Sequence, residues 1–147
     1  MKLNLHETCR HMHCFGPAAC GTTGTGLVGK TIDRKGYNGV EFLTHFGLFA
    51  STTETIPIVI MESDTGTTGT FTSVADSNLA GTEALAGIPI TTGSRVSGTN
   101  KSVAKRVGYL GNKRYLLMKE VPVGTATCIV SGTCLLYAPQ AAATSNP

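Results

Sequence analysis

The amino-acid sequence predicts an all-β fold: an antiparallel β-sandwich or jelly roll, formed by a single domain with extended N- and C-terminal arms. Charged residues make up only 14% of the 147 residues, whereas Gly and Thr are abundant, and such a composition favours strands and turns over long helices. About eight short segments also have the periodicity or the apolar content of strands, and clusters of turn residues separate them.

The domain assignment follows from the same pattern. Residues 1–26 mix His, Cys, Gly and Thr without a steady period, and we interpret them as an extended N-terminal arm. Residues 27–138 are assigned to the sandwich and residues 139–147 to a C-terminal tail. A chain of this length suits one domain with a core of its own.

Individual strands are predicted mainly from alternation. In residues 40–48 alternate positions are mostly apolar, as in a half-buried strand, and residues 56–62 are apolar on both phases, which suits a strand covered on both faces. Gly111 and Asn112 separate two further segments and predict a β-hairpin that pairs them. A short helix is expected within residues 76–86. The other predicted strands are residues 27–32, 70–74, 88–92, 105–110, 115–121 and 125–137.

Charge is distributed unevenly along the chain, although the net charge is only +3. Residues 1–36 carry +3 (five basic, two acidic), residues 37–100 carry −5 (one basic, six acidic) and residues 101–120 carry +5 (six basic, one acidic). A polarised chain of this kind often binds copies of itself or a charged partner, while charge segregation between strands of one sandwich gives the same pattern.

The apolar runs and the cysteines indicate the cellular compartment in which the protein is made. No run has the length of a membrane span or of a signal peptide, so we expect synthesis in a cytoplasm and no membrane partner. Five cysteines without an export signal then favour free thiols or a metal over a disulfide framework.

Residues 24–31 read GTGLVGKT and match the phosphate-binding loop pattern of Gly24, four residues, Gly29, Lys30 and Thr31. That loop requires a buried strand before it and a helix after it. Here no apolar run precedes the motif, and two glycines and an asparagine follow before a helix could complete two turns. We therefore interpret the motif as the bend from the arm into the first strand, with no nucleotide bound.

The histidines and cysteines of the N-terminal arm are the strongest site-like feature. Imidazole and thiolate are preferred zinc ligands, and four such side chains could complete a tetrahedral site. Their spacing fits no standard zinc module, and a distant ligand could come only from His45, Cys128 or Cys134. The alternative is a solvent-facing or interface arm, and we predict no metal and no cofactor. The candidate ligands are His6, Cys9, His11, His13, Cys14 and Cys20.

Two further cysteines lie in the last predicted strand. Cys128 and Cys134 are roughly 20 Å apart along such a strand, beyond disulfide reach, and are predicted to be core residues. No nucleophile motif and no pair of carboxylates in a site-like setting is found, so we predict that the protein is not an enzyme.

Basic and aromatic residues interleave around the predicted hairpin. They could contact phosphates, but the polar face of a hairpin gives the same pattern. Such a polar face can also serve as a protein interface. We therefore predict a protein interface and no nucleic acid. The interface candidates are Arg10, Lys105, Arg106, Lys113, Arg114 and Tyr115.

Three blocks of the sequence resemble small proteins encoded beside the major capsid protein of tailed bacteriophages. They read "GYNGVEFLTHFG", "IVIMESDTGTTGTFTSVADSNLAGTEA" and "VAKRVGYLGNKRYLLMKEVPVGTATCIVSGTCLLYAPQ". In that family an "ESDD" turn leads to "FTDVADADL", and "RVGYIGNKRYVRL" precedes a last Gly-rich strand. The resemblance covers roughly residues 27–139, and residues 1–26 depart from it.

The resemblance implies a capsid decoration or cement protein with a sandwich or jelly-roll body and no catalytic residues. Its partners would be the major capsid protein and copies of itself, as a dimer or trimer. It would assemble in the host cytoplasm and reside on the capsid exterior, bridging neighbouring capsomers. The alternatives are a tail or neck component of the virion, or a small metal- or nucleotide-binding module.

Overall fold

Two antiparallel sheets pack face to face in the computed structural model, which describes residues 4–24, 26–48, 55–88 and 102–140. The elements are α1 (Leu5–Thr8), β1 (Arg10–Thr22), β2 (Ile32–Asp33), β3 (Tyr37–Phe46), β4 (Ile58–Ser63), β5 (Thr72–Ser73), a 3₁₀ turn (Asp76–Asn78), β6 (Leu79–Ala80), α2 (Glu83–Ala86), β7 (Val103–Tyr109), β8 (Tyr115–Glu120) and β9 (Thr125–Pro139). The predicted all-β sandwich is confirmed.

The strand order is β1-β9-β3-β7-β6 in the five-stranded sheet and β2-β8-β4-β5 in the four-stranded sheet. Most consecutive strands therefore lie in opposite sheets, as in a jelly roll. Strand β9 pairs with both β1 and β3, so it lies inside the larger sheet and joins distant parts of the chain.

Strand β3 shows why the alternating segments were predicted correctly. Val40, Phe42 and Phe46 point into the space between the sheets and are buried, whereas His45 on the other phase is exposed. The apolar side chains of β4, β8 and β9 fill the same space from both sheets, so a single core results.

The predicted N-terminal arm is wrong for residues 10–22, which form β1. This strand is extended but is hydrogen-bonded along β9, from Arg10 opposite Leu136 to Thr22 opposite Thr125. Its register shifts three times, and at the first shift the adjacent residues Cys14 and Phe15 are both buried. These irregularities remove the two-residue period by which a strand is recognised in a sequence.

The predicted hairpin of residues 107–110 with residues 114–118 is also wrong. Strand β7 pairs with β3 and β6, whereas β8 pairs with β2 and β4 in the other sheet. Residues 110–114 therefore cross from one sheet to the other, and we call them the β7–β8 arch. Turn residues predict a change of chain direction, but they do not show with which strand each flanking segment pairs.

Smaller differences concern the connections. In place of the strand predicted at residues 27–32, the chain makes one bridge, from Val28 to Lys119, before β2. The helix expected within residues 76–86 is reduced to α2, preceded by Gly81 at a φ of +97°, a value at which a helix cannot continue. The predicted strand at residues 88–92 lies outside the described residues beyond position 88, as does the predicted C-terminal tail beyond position 140.

Candidate interaction surfaces

The segment that resembles a phosphate loop joins the two sheets. The backbone N–H of Gly29 donates to the carbonyl of Met118 in β8 at 2.9 Å, and the N–H of Lys30 donates to the carbonyl of Cys14 in β1 at 2.9 Å. A Cβ on Gly29 would lie 2.6 Å from the Met118 oxygen, so this close approach requires glycine. Because β2 rather than a helix follows and these N–H groups are engaged, the segment does not have the structure of a phosphate loop.

The candidate metal ligands point in opposite directions. His11 and His13 are exposed on β1, whereas Cys14 and Cys20 on the same strand are completely buried in the core. Among the residues that the structure describes, no group of three or more His, Cys, Asp or Glu side chains could hold a metal ion. The structure thus does not bring these candidates together as a site.

The buried thiols instead occur in two pairs between β1 and β9. The Sγ atoms of Cys20 and Cys128 are 2.9 Å apart, and Cys14 is hydrogen-bonded to Cys134. That hydrogen bond, together with burial, raises the pKa of the Cys14 thiol. The prediction that Cys128 and Cys134 are core residues is confirmed, since neither is exposed to solvent.

Three of the predicted interface residues are engaged within the molecule. The Lys113 ammonium lies 2.5 Å from the Asp64 carboxylate. The Arg114 guanidinium donates two hydrogen bonds to Asp33, at 2.9 and 2.7 Å, and lies 4.8 Å from the centre of the Tyr115 ring. The hydrogen bond from Arg114 is the main cause of the lowered pKa of Asp33. These side chains therefore attach the β7–β8 arch to its surroundings.

Tyr109, at the end of β7, is the centre of this attachment and was not predicted as a site residue. Its ring is buried, its hydroxyl donates to the Glu62 carboxylate, and the same oxygen accepts the backbone N–H of Lys113 at 3.0 Å. Arg34 lies 5.3 Å from the ring centre and donates to the carbonyl of Lys113 at 2.6 Å. Burial is the main cause of the raised pKa of Tyr109.

The remaining interface candidates do not extend the arch into one basic patch. Arg106 is largely exposed, 3.7 Å from Glu41 on the outer face of the five-stranded sheet. Arg10 is exposed on β1, and Lys105 is half-buried near the start of β7. Within the described residues neither Arg10 nor Lys105 makes an ion pair.

The outer faces of the two sheets differ in polarity. On the five-stranded sheet, strand register and alternation place mostly polar side chains outward. The polar ones include His11, His13, Glu41, His45, Arg106 and Thr133, and the same side also carries the apolar Leu43, Ile129 and Leu135. This is the usual solvent side of an antiparallel sheet.

On the four-stranded sheet, one end of the outer face is polar, with Asp33 opposite Tyr115, and the other end is mainly apolar. Met61 is opposite Leu117. Lys119 lies between Val59 and Val28 and is the one charged side chain among these five residues. The outward-facing phase of β8 continues beyond Glu120, where Val121 and Val123 are exposed. We call this surface the β8 face and define it by Val28, Val59, Met61, Leu117, Val121 and Val123, of which Leu117 is buried and Val59 and Met61 are half-buried. The exposed fractions of Val28, Val121 and Val123 are 63%, 38% and 52%.

Comparison of the chain with models of known protein families finds no match, and comparison with curated proteins finds none either. Among the described residues, no helix has the length and apolar character needed to cross a membrane.

Proposed function

We propose that this protein is a non-enzymatic structural component of a tailed-phage virion, which decorates the outside of the capsid and cements neighbouring capsomers. Its partners are the major capsid protein and copies of itself, in a dimer or trimer. The observation that carries the proposal is the β8 face, where the apolar side chains of Val28, Val121 and Val123 are exposed side by side with strand residues.

The β8 face is the surface that a protein partner would cover. Apolar side chains in strands facing water contribute little to folding, whereas burying them against a partner is favourable by roughly 25 cal/mol per Å² of apolar area. The five-stranded sheet then remains exposed to solvent. A protein with one apolar and one polar face suits a position on the surface of a larger assembly.

The sequence blocks that resemble phage decoration proteins support the major capsid protein as the partner. The most distinctive of them, "GYLGNKRY" at residues 108–115, coincides with the β7–β8 arch and its Tyr109. That motif therefore has a structural role in this fold. Jelly rolls occur in viral capsid proteins but also in lectins and cupins, so the choice among them rests on the resemblance.

Binding to capsid shells that lack this protein tests the proposal. Val28→Lys places a charge on the β8 face, and Ile129→Lys is the matched control, because Ile129 is an apolar residue with 50% exposure, in β9 of the other sheet. In co-sedimentation we expect at least a tenfold loss of affinity for Val28→Lys and none for Ile129→Lys, with both variants retaining cooperative thermal unfolding. Equal binding of the two variants would remove the β8 face from the proposal.

Imaging of the intact virion tests the location separately. The proposal requires density for the sandwich on the outer surface of the head, across joints between capsomers. Density on the tail or neck would assign the protein to that structure instead, and absence from the particle would reject a virion role.

A further inference from the structure

The four core cysteines form two cross-strand pairs that differ in geometry. Each pair joins β1 to β9, and all four thiols are buried. In the first pair, the Sγ atoms of Cys20 and Cys128 are 2.9 Å apart. A disulfide bond has an S–S length of about 2.05 Å, so these two sulfurs are within about 1 Å of bonding distance.

The strand register aligns the first pair for a bond. Ala19 is opposite Ile129 and Gly21 is opposite Ala126, so a β-bulge lies here and Cys20 faces residues 127 and 128 of β9. Facing residues of antiparallel strands have Cα atoms roughly 4.5–5.5 Å apart, within the range that disulfides span, and the 2.9 Å between the two sulfurs shows that the bulge keeps Cys20 beside Cys128. We propose that Cys20 and Cys128 are the site of an intramolecular disulfide, formed from the thiols by a small disulfide oxidant such as oxidised glutathione.

The second pair is placed differently. The residue opposite Cys134 is Met12, so Cys14 is a diagonal neighbour of Cys134. Diagonal Cα atoms lie roughly 7–8 Å apart, which exceeds the usual disulfide span. The two thiols are hydrogen-bonded to each other, and we expect them to stay reduced when the first pair is oxidised. This pair therefore serves as an internal control for the selectivity of the first.

The reaction is a pair of thiol–disulfide exchanges. One protein thiolate attacks a sulfur of oxidised glutathione, forming a mixed disulfide and releasing one glutathione thiolate. The second protein thiolate attacks the protein sulfur of that mixed disulfide and displaces the other glutathione. The Cys20–Cys128 bond forms, the glutathione disulfide is reduced by two electrons, and the two protons lost by the cysteines protonate the two released glutathiones.

Strand β1 gives access to the buried thiols. It is the edge of the five-stranded sheet and pairs with β9 on one side only. Local opening of the last residues of β1, next to the register shift after Ala19, leaves the rest of the strand paired, requires less free energy than global unfolding and exposes Cys20 and Cys128 together. Once formed, the bond joins positions 108 residues apart and prevents this separation.

Oxidation of the folded protein followed by peptide mapping tests the proposal. The Cys9→Ser variant is used, because Cys9 is the one cysteine outside the core. It is incubated with excess oxidised glutathione, and free thiols are then alkylated under denaturing conditions before digestion and mass spectrometry. We expect loss of two thiols, a peptide in which Cys20 is linked to Cys128, and a Tm higher by about 10 °C that reductant reverses.

Several results would overturn the proposal: four free thiols after oxidation, a Cys14–Cys134 link, or a persistent glutathione adduct. The mapping requires no substitution in the core, so a misfolded variant cannot obscure it. In a second experiment the same oxidation is applied to Cys14→Ser, which is expected to keep the Tm increase, and to Cys128→Ser, which is expected to lose it. The outcome is independent of capsid binding.

Discussion

Glu120 is the residue whose chemistry departs most from its surroundings. Its carboxyl lies in the core at 1% exposure, where Oε2 accepts the backbone N–H of Leu27 at 3.1 Å and Oε1 has no hydrogen-bond partner among the described residues. Burial raises the pKa of Glu120 from its ordinary value of 4.5 to about 7, against the smaller opposing effect of the hydrogen bond. The protonated form therefore suits the fold best.

This placement predicts a pH dependence of stability. Between pH 4.5 and about 7 the folded protein holds more protons on Glu120 than the unfolded chain does, so the free energy of unfolding falls as the pH rises through this window. The loss amounts to about 3 kcal/mol. Glu120→Gln is neutral at every pH, and we expect it to remove this loss and to be more stable than the wild type at pH 8.

Urea unfolding at a series of pH values measures the effect. Glu41→Gln is the control, since Glu41 lies on the outer face of the five-stranded sheet and is expected to leave the pH dependence unchanged. A Glu120→Gln variant with the same pH dependence as the wild type would contradict the argument.

At the scale of elements, the β7–β8 arch depends on one hydroxyl. Tyr109 donates to Glu62 in β4 and accepts the N–H of Lys113, so it joins strands of both sheets to the crossing chain. We expect Tyr109→Phe to lower the free energy of unfolding by about 1 kcal/mol, because it leaves two partly buried polar groups without this partner. Denaturant unfolding measures this. Tyr137→Phe, at a position 36% exposed, is expected to change stability by less than about 0.5 kcal/mol.

Strand β1 is the element on which the sequence and the structure differ most. It contributes Cys14, Phe15 and Cys20 to the core and covers one edge of β9. A fully buried apolar side chain such as Phe15 contributes roughly 1.5–3 kcal/mol, and a domain has only about 5–15 kcal/mol in total. We therefore expect removal of residues 1–23 to abolish cooperative thermal unfolding, whereas removal of residues 1–8 preserves it. A folded product of the longer deletion would show that these residues are an arm after all.

At the scale of the whole molecule, local patterns predicted the strands but not their partners. The alternation of β3 and the apolar run of β4 are properties of single segments, and both were found from the sequence. The partners of β7 and β8 depend on contacts between distant segments, so the turn residues between these strands led to a wrong hairpin prediction. The ion pairs of Asp33 and Asp64 with the arch were missed for the same reason, since 81 and 49 positions separate the partners.

The candidate site follows the same division. The two basic residues of the arch, Lys113 and Arg114, stood out by composition, yet both bind acidic residues of the same chain. The β8 face could not be found without the fold, because its apolar residues come from two strands and a bridge that meet through register alone. A sequence gives the phase of each strand, and only the pairing decides which phase is covered by the other sheet.

The position of β9 between β1 and β3 has a consequence for synthesis on the ribosome. Strands β1 and β3 have no pairing with each other, so the five-stranded sheet cannot close until residues up to about position 139 have emerged from the exit tunnel. Until then, β1 and the inward side chains of β3 are open to nascent-chain chaperones. A transcript that ends early would yield chains without this sheet, and proteases degrade such unfolded chains.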